Sequence, residues 1–529
     1  MRDPRRRRRA GTRHPLGRHL NETVRVSPAV AARRALWGVT AVAWLGVLRL
    51  AVAFLHNELQ WEYVASHSRA DAPWYYRLAG VWGGGEGSLL LFAAVVGAVA
   101  CIAARRVQRP AALWTATFSV AGLVLLDLLA ASPFHRLDVP AVRGFGLTPI
   151  LEHPAMAIHP PLLYVGLGCT LAAAMVALDG GDPAAWLRAT VAVTTLAMTI
   201  GALWSYVEQG WGGYWAWDPV ENTSLLVWLA ALVALHAGWR ARGRVRLASV
   251  PWVLTLAGAA LVRSGTAPSV HGFAEHAAVG WALLGGTVVT AALVWRLAPA
   301  DEASVRPWQP VAVVAMAAIA IVVALGTAYP VLADLLGNRR GAVRGEFFSR
   351  TVGPVALVAL PFLILRLRIP RARLAHVGML VLLAGVAAST FDRQATVVVR
   401  DGATVDAAGV AVTGHGVTVE PGPRFDVQQV VATLDVDGVR MRPALVAYPE
   451  RGGVLAETAV DPGVWWDVQV ALVDADDTGT ATVKVHRRPL VWLLWLGAAV
   501  TAAGVLAPAG FRRRRTPPTR SLPTTAAGV

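Results

Sequence analysis

Lysine is nearly missing: Lys484 is the single lysine among 49 basic residues in a chain of 529. A glycine-rich phosphate loop needs its lysine, and none is present. An HExxH pair and a Ser/His/Asp arrangement are also missing, so the usual residues of zinc- and serine-dependent hydrolysis are not there. The two cysteines, Cys101 and Cys169, both lie in apolar stretches. They offer neither a disulfide framework nor a CxxC redox pair. Charged residues make up 16% of the chain, against roughly 25% in soluble proteins. No cleavable leader is expected, because the first apolar run, from about residue 35, is long enough to span a membrane and ends without a small-residue cleavage site.

What is present is mostly apolar. Hydrophobic residues make up 55% of the chain and the mean hydropathy is positive. Apolar runs of about 20 residues recur, which is the mark of a multi-pass membrane protein. Twelve spans are expected, near 35–55, 88–104, 111–131, 161–178, 186–206, 222–239, 248–263, 277–297, 309–331, 353–367, 373–390 and 489–508. The net charge of +16 would suit a nucleic-acid partner, but its placement argues for none. Residues 1–34 hold eleven arginines against Asp3 and Glu22, and residues 509–529 hold five arginines and no acid. These are cytoplasmic flanks under the positive-inside rule. With the N-terminus inside, the inner loops carry Arg105, Arg106 and Arg109, then the arginines of 240–246, 366–373 and 512–515, without one inversion.

Residues 391–488 change character. ATVVVR, VAVTGHGVTV, VQQVVATLDV and TATVKVH alternate apolar and polar residues between Gly, Pro and Asp, which is strand periodicity with turn signals. The expected fold is therefore an all-α polytopic membrane protein of about twelve helices with one small extracytoplasmic β domain. An Arg-rich tail (1–34) precedes the helical core (35–390). The β domain (391–488), a last span (489–508) and a basic tail (509–529) follow. Arg49, inside the first span, is expected to snorkel outward.

The chain is organised around WGGYWAWDPVENTSLLVWL, residues 211–229. Trp211, Tyr214, Trp215, Trp217 and Trp228 surround a short acidic segment from Asp218 to Glu221. Gly212, Gly213 and Pro219 make 211–220 a shaped loop. Such an aromatic shelf between two spans can hold a flat, apolar ligand at the water boundary. Scattered Trp and Tyr read more plainly as an interfacial belt, but here Asp-Pro-x-Glu-Asn is embedded among them.

Four histidines stand out. His159, in AIHPPLLY, precedes the fourth helix of the expected set, and His271, in RSGTAPSVHGF, follows the seventh; both lie at the level of the loop. An imidazole on each face of a flat macrocycle would complete octahedral iron. The plainer alternative is a pair of interfacial cap histidines, and His153 and His276 lie near enough to exchange roles with them. His236 lies well down the helix that leaves the loop, roughly 20 Å below it. His376 is near the start of the eleventh span, so this pair shares the inner third of the membrane and cannot share a metal with the outer pair. Ionisable residues at that depth are usually functional. A bis-imidazole haem between helices is one use of such a pair, and a hydrogen-bonded structural contact is the other.

The loop WGGYWAWDPVEN resembles the tryptophan-rich WWD signature of the haem-lyase component of cytochrome c biogenesis, the CcmF/NrfE type. EYVASHSRADAPWYYRLAGVWGGGEGSLLL, AIHPPLLYVG, VRSGTAPSVHGFA, LGTAYPVL, LAHVGMLVLLAGV and KVHRRPLVWLLW resemble further family segments in the same order, over most of residues 56–505. The resemblance implies a bacterial inner-membrane enzyme, both termini cytoplasmic, with its WWD loop (204–228) on the outer face. That enzyme joins haem to CxxCH apocytochrome c through thioether bonds. It also implies external haem ligands at His159 and His271, and a resident haem b held by His236 and His376. Trp211, Trp215 and Trp217 would position haem by stacking, while Asp218 and Glu221 either assist proton transfer or only shape the loop. Arg263 either meets a haem propionate or is a plain topogenic arginine. Implied partners are apocytochrome c, a haem-carrier chaperone, other maturation subunits and membrane lipid. A haem transporter without ligation activity is the competing class. Three features depart from the family pattern: Gly85 stands where WGGHEGS has histidine, an Arg-rich tail replaces a helix before residue 35, and further helices are missing between about 368 and 373.

Overall fold

The computed structural model describes residues 27–238, 243–266, 269, 276–298, 310–337, 343–345, 347, 348, 350–356, 372–422, 424, 427–448 and 453–507. Its helices are α1 (Pro28–Leu55), α2 (Glu62–His67), α3 (Trp74–Ala79), α4 (Gly85–Ala104), α5 (Pro110–Ala130), α6 (Pro154–Leu178) and α7 (Ala184–Glu208). Then follow α8 (Pro219–Ala237), α9 (Arg244–Ser264), α10 (Ala277–Leu297), α11 (Pro310–Leu335), α12 (Arg373–Ala388) and α13 (Trp492–Leu506). Ten of these are long and apolar enough to cross a membrane, and α13 is a shorter apolar helix. The expected span at 353–367 falls mostly outside the described residues.

Proline opens α1, α5, α6 and α8, where its missing N–H costs nothing and its fixed φ suits the first turn. Arg49 reaches out of α1 to an ion pair with Glu58 at 2.5 Å. Its guanidinium and the Trp61 indole N–H hold the Glu58 carboxyl below the usual range. The snorkelling arginine thus has a partner.

Among the described residues, the β domain contains ten strands in two sheets. One sheet has the order β1 (Arg393–Val399), β10 (Ala481–Pro489), β9 (Trp466–Ala475), β8 (Ala459–Asp461). The other runs β2 (Thr404–Ala407), β3 (Val410–Pro421), β4 (Gln428–Val436), β6 (Ala444–Tyr448), β7 (Gly453–Glu457), with β5 (Val439–Met441) on β4. All of these pairings are antiparallel. Val399, Val470 and Val483 of the first sheet share a core with Val412, Leu434 and Met441 of the second. The alternation seen in the sequence is therefore an inward face and an outward face of each strand.

Among the described residues, three hydrogen bonds fasten this domain to the end of α7. Tyr206 OH donates to Asp467 Oδ2 at 3.1 Å, Gln469 Nε2 donates to the Tyr206 carbonyl at 2.8 Å, and Thr458 Oγ1 donates to the Val207 carbonyl at 2.6 Å. Arg424 adds a bond to the Leu147 carbonyl at 2.8 Å and an ion pair with Glu152 at 3.0 Å. The β domain therefore sits at the end of the bundle where α7 stops and α8 starts.

Candidate functional site

The connection between α7 and α8 runs from residue 209 to 218. Gly212 has φ +83°, and a Cβ there would fall 2.7 Å from the His486 ring on β10. Only glycine fits that turn against that neighbour. Trp211 folds over Gly213, donates from Nε1 to Gln209 Oε1 at 2.7 Å and stays 39% exposed. Tyr214 shares a 2.8 Å hydrogen bond with Ser389 Oγ beyond α12, and burial raises its hydroxyl pKa.

Trp215 meets Trp217 edge-on at 6.0 Å, and Trp217 stacks on Phe348 at 5.1 Å with planes 12° apart. Trp217 takes φ +58°, an uncommon conformation for a bulky residue that persists only where its surroundings hold it. Asn222 supplies part of that hold, donating from Nδ2 to the Trp217 carbonyl at 3.1 Å and to Thr327 Oγ1 at 3.0 Å.

Asp218 and Glu221 form a capping box at the start of α8. Asp218 Oδ1 accepts from Val220 N at 2.8 Å and from Ser269 Oγ at 2.9 Å. Glu221 Oε2 accepts from Ala216 N at 2.9 Å and Asp218 N at 3.1 Å. Both carboxylates bond to backbone donors that the first helical turn leaves without intrahelical partners. The geometry gives each a loop-shaping role.

His159 lies in the second turn of α6. Its Nδ1–H donates to the Ala197 carbonyl on α7 at 2.7 Å, which makes Nε2 the lone-pair nitrogen. A backbone carbonyl behind the imidazole is the usual way a ligating tautomer is set. The ring lies so close to Gly201 that a Cβ there would meet its Cε1 at 2.7 Å. His159 lines a cleft with about 1080 Å³ of empty space, part of it open to the outside. Its walls come mainly from α4, α6, α8 and α9 and are mostly apolar, with hydroxyls at Thr223, Ser224 and Thr255 and a polar corner at Ser88, Tyr164 and Arg263. Trp211, Trp215 and Trp217 do not line the cleft, but Val220, Thr223 and Ser224 of α8 do. The tryptophan loop bears on the cleft through the helix it caps.

His271 lies outside the described residues. Of its two rivals, His153 is the N-cap of α6, where Nδ1 accepts from Ala155 N at 3.1 Å. Its Nε2 is 3.8 Å from Glu208 Oε1, and burial lowers its pKa. His276 precedes α10, its backbone N donating to the Arg263 carbonyl at 2.8 Å.

The second histidine pair lies far from the loop. His236 is in the last turn of α8, on the order of 25 Å from the Asp218 cap at the helical rise. His236 Nδ1–H donates to the Leu232 carbonyl at 2.8 Å, and His376 Nδ1–H to the Ala372 carbonyl at 2.6 Å. The ring centroids are 6.3 Å apart with planes at 86°. Two metal–imidazole bonds of about 2 Å, extended to the ring centres, span roughly 6 Å. The separation suits one iron between the rings.

Sequence reasoning missed Phe348, the stacking partner of Trp217, for which no local signal exists. It also passed over Asp127, a lone acid in the span 111–131; an intramembrane carboxyl is itself a signal.

The family description "Cytochrome C assembly protein" matches residues 184–267, from α7 through the loop and α8 to just past α9. The chain is 35% identical to the probable cytochrome c-type biogenesis protein NrfE of Escherichia coli K12, over 65% of this chain and 70% of that one. It is 28% identical to the cytochrome c-type biogenesis protein CcmF of Pseudomonas fluorescens, over 92% of this chain and 91% of that one. The solved structure of "Cytochrome c Heme Lyase CcmF" shares the fold, with a TM-score of 0.67 at 20% identity over 93% of this chain and 99% of its own.

Proposed function

Because this chain belongs to the CcmF/NrfE family of cytochrome c-type biogenesis proteins, we propose that it is the haem-lyase subunit, taking haem as substrate in the cleft at His159. It presents that haem to a CxxCH apocytochrome c on the outer face of the bacterial inner membrane. The observation that carries this reading is His159 itself: its tautomer is set by the Ala197 carbonyl and its ring stands in the wall of a largely apolar cleft. An iron macrocycle needs that combination of one imidazole ligand and flat apolar walls.

Thioether formation adds a thiol across a vinyl group. The sulfur bonds to one vinyl carbon and the thiol hydrogen ends on the other, so the step consumes no oxidant or reductant. What the protein supplies is placement. Holding the vinyl edge where two thiols arrive makes the addition effectively intramolecular. The stacked Trp217 and its neighbours hold the start of α8, and α8 forms a cleft wall. Asp218 and Glu221 act in the same way, as caps. His271, which follows α9 in the chain, would be the second residue to hold the iron.

His236 and His376 are the residues that would hold a resident haem b, which when bound supplies one-electron chemistry toward the inner face. In this orientation both termini are cytoplasmic. The β domain and loop then face the apocytochrome, a haem carrier and other maturation subunits.

Co-expression with a CxxCH apocytochrome, followed by haem staining of denaturing gels, tests the reading. His159→Ala is expected to abolish most covalent haem on the apocytochrome. Undiminished attachment with reduced export of free haem would replace the lyase with a transporter.

A further inference from the structure

The polar corner of the cleft has too few partners for its charges. Arg263 is 6% exposed and Asp127 is 0% exposed, both within membrane helices. Arg263 Nη2 donates to Ser88 Oγ at 3.1 Å, while its Nε has no hydrogen-bond partner among the described residues. Both carboxylate oxygens of Asp127 are also without one. Tyr164, Asp127 and Glu86 are the electrostatic neighbours of Arg263. Glu86 stands in the first turn of α4, where the helix N-terminus favours a negative charge independently of Arg263. Asp127 interacts with Arg263, but its carboxylate has no hydrogen bond of its own among the described residues.

A buried guanidinium has five donors, and under-satisfied buried networks in native proteins call for an explanation. Arg263, Ser88 and Tyr164 all line the cleft, so the missing acceptor can arrive from inside it. We propose that the Arg263–Ser88 corner is a carboxylate-recognition site for a propionate of the macrocycle. This rests on the haem reading of the cleft and adds to it the group that fixes the orientation of the ring. A macrocycle anchored by its acidic edge at Arg263 turns its opposite, vinyl-bearing edge away from that corner.

Absorbance titration of the purified protein with haem and with haem dimethyl ester tests the assignment, since the ester keeps iron, ring and vinyl groups and lacks the negative charges. The wild type is expected to bind haem about tenfold more tightly than the ester, the size of a charged hydrogen bond. Arg263→Gln should weaken haem and leave the ester unchanged, removing that preference. Arg263→Lys keeps the charge and should keep part of the preference for haem over the ester. It serves as the second variant should Arg263→Gln fold poorly. His159→Ala should weaken both ligands alike. Equal wild-type affinities, an Arg263→Gln variant that weakens both ligands equally, or an Arg263→Lys variant that shows no preference for haem would overturn the carboxylate site and leave the haem cleft standing. If His159→Ala alters neither titration, the cleft reading falls and the carboxylate site falls with it.

Discussion

His159 shows how much of the account depends on single atoms. The Ala197 carbonyl chooses the ring nitrogen, and Gly201 leaves room for the ring. Gly201→Val puts atoms where the imidazole edge now lies, so the ring must swing off its carbonyl. Misplacement on that scale can cost about a hundredfold in rate, and haem-stained apocytochrome is expected to fall accordingly. Exogenous imidazole should partly rescue His159→Gly, whose side-chain space is empty, but not Gly201→Val. The acids of the loop behave differently. Asp218→Ala should lower stability by about 1 kcal/mol through the lost cap, measured by thermal unfolding in detergent. Asp218→Asn caps nearly as well and should keep both stability and attachment. Loss of attachment in Asp218→Asn at unchanged stability would instead give that carboxyl a proton-transfer role. This division was within reach of the sequence, since Asp218 and Glu221 have the capping-box spacing. The Trp217–Phe348 stack was not, because Phe348 is brought in by a distant part of the chain.

Helices and strands were the most legible elements. Runs of about 20 apolar residues have few alternatives to a span, and period-two alternation over 391–488 matches the strands found between Arg393 and Pro489. Boundaries moved where caps act: α8 begins at Pro219, because Asp218 satisfies the first turn. Hidden from the sequence was how the β domain is tied to the loop. Tyr206 and Asp467 are 261 positions apart, and their hydrogen bond is buried. Tyr206→Phe leaves the Asp467 carboxyl buried and short of a donor, at a cost of about 1–3 kcal/mol. Limited proteolysis is expected to cleave near residues 209–216 faster in that variant than in the wild type. An unchanged cleavage rate would mean that the remaining contacts hold the domain without this bond.

Over the whole molecule, the account has two imidazole sites at opposite ends of one helical bundle. His159 is next to the β-domain end through α6 and α7, and the His236–His376 pair lies at the other end of α8 and α12. In the proposed orientation the β-domain end faces outside, as the arginine pattern suggests. Reporter fusions after residue 403 should therefore report the outside, and fusions near 370 and after 515 the inside. The cleft itself could not be read from the sequence, because its walls come from four helices whose packing no local pattern specifies. The separateness of the two sites is the central claim, and the dithionite-reduced absorption spectrum of the purified protein tests it most directly. The wild type and His159→Ala should show the same low-spin, acid-extractable b-type haem, while His236→Ala and His376→Ala should each lose most of it. Loss of that spectrum in His159→Ala, with full retention in both inner variants, would contradict the account.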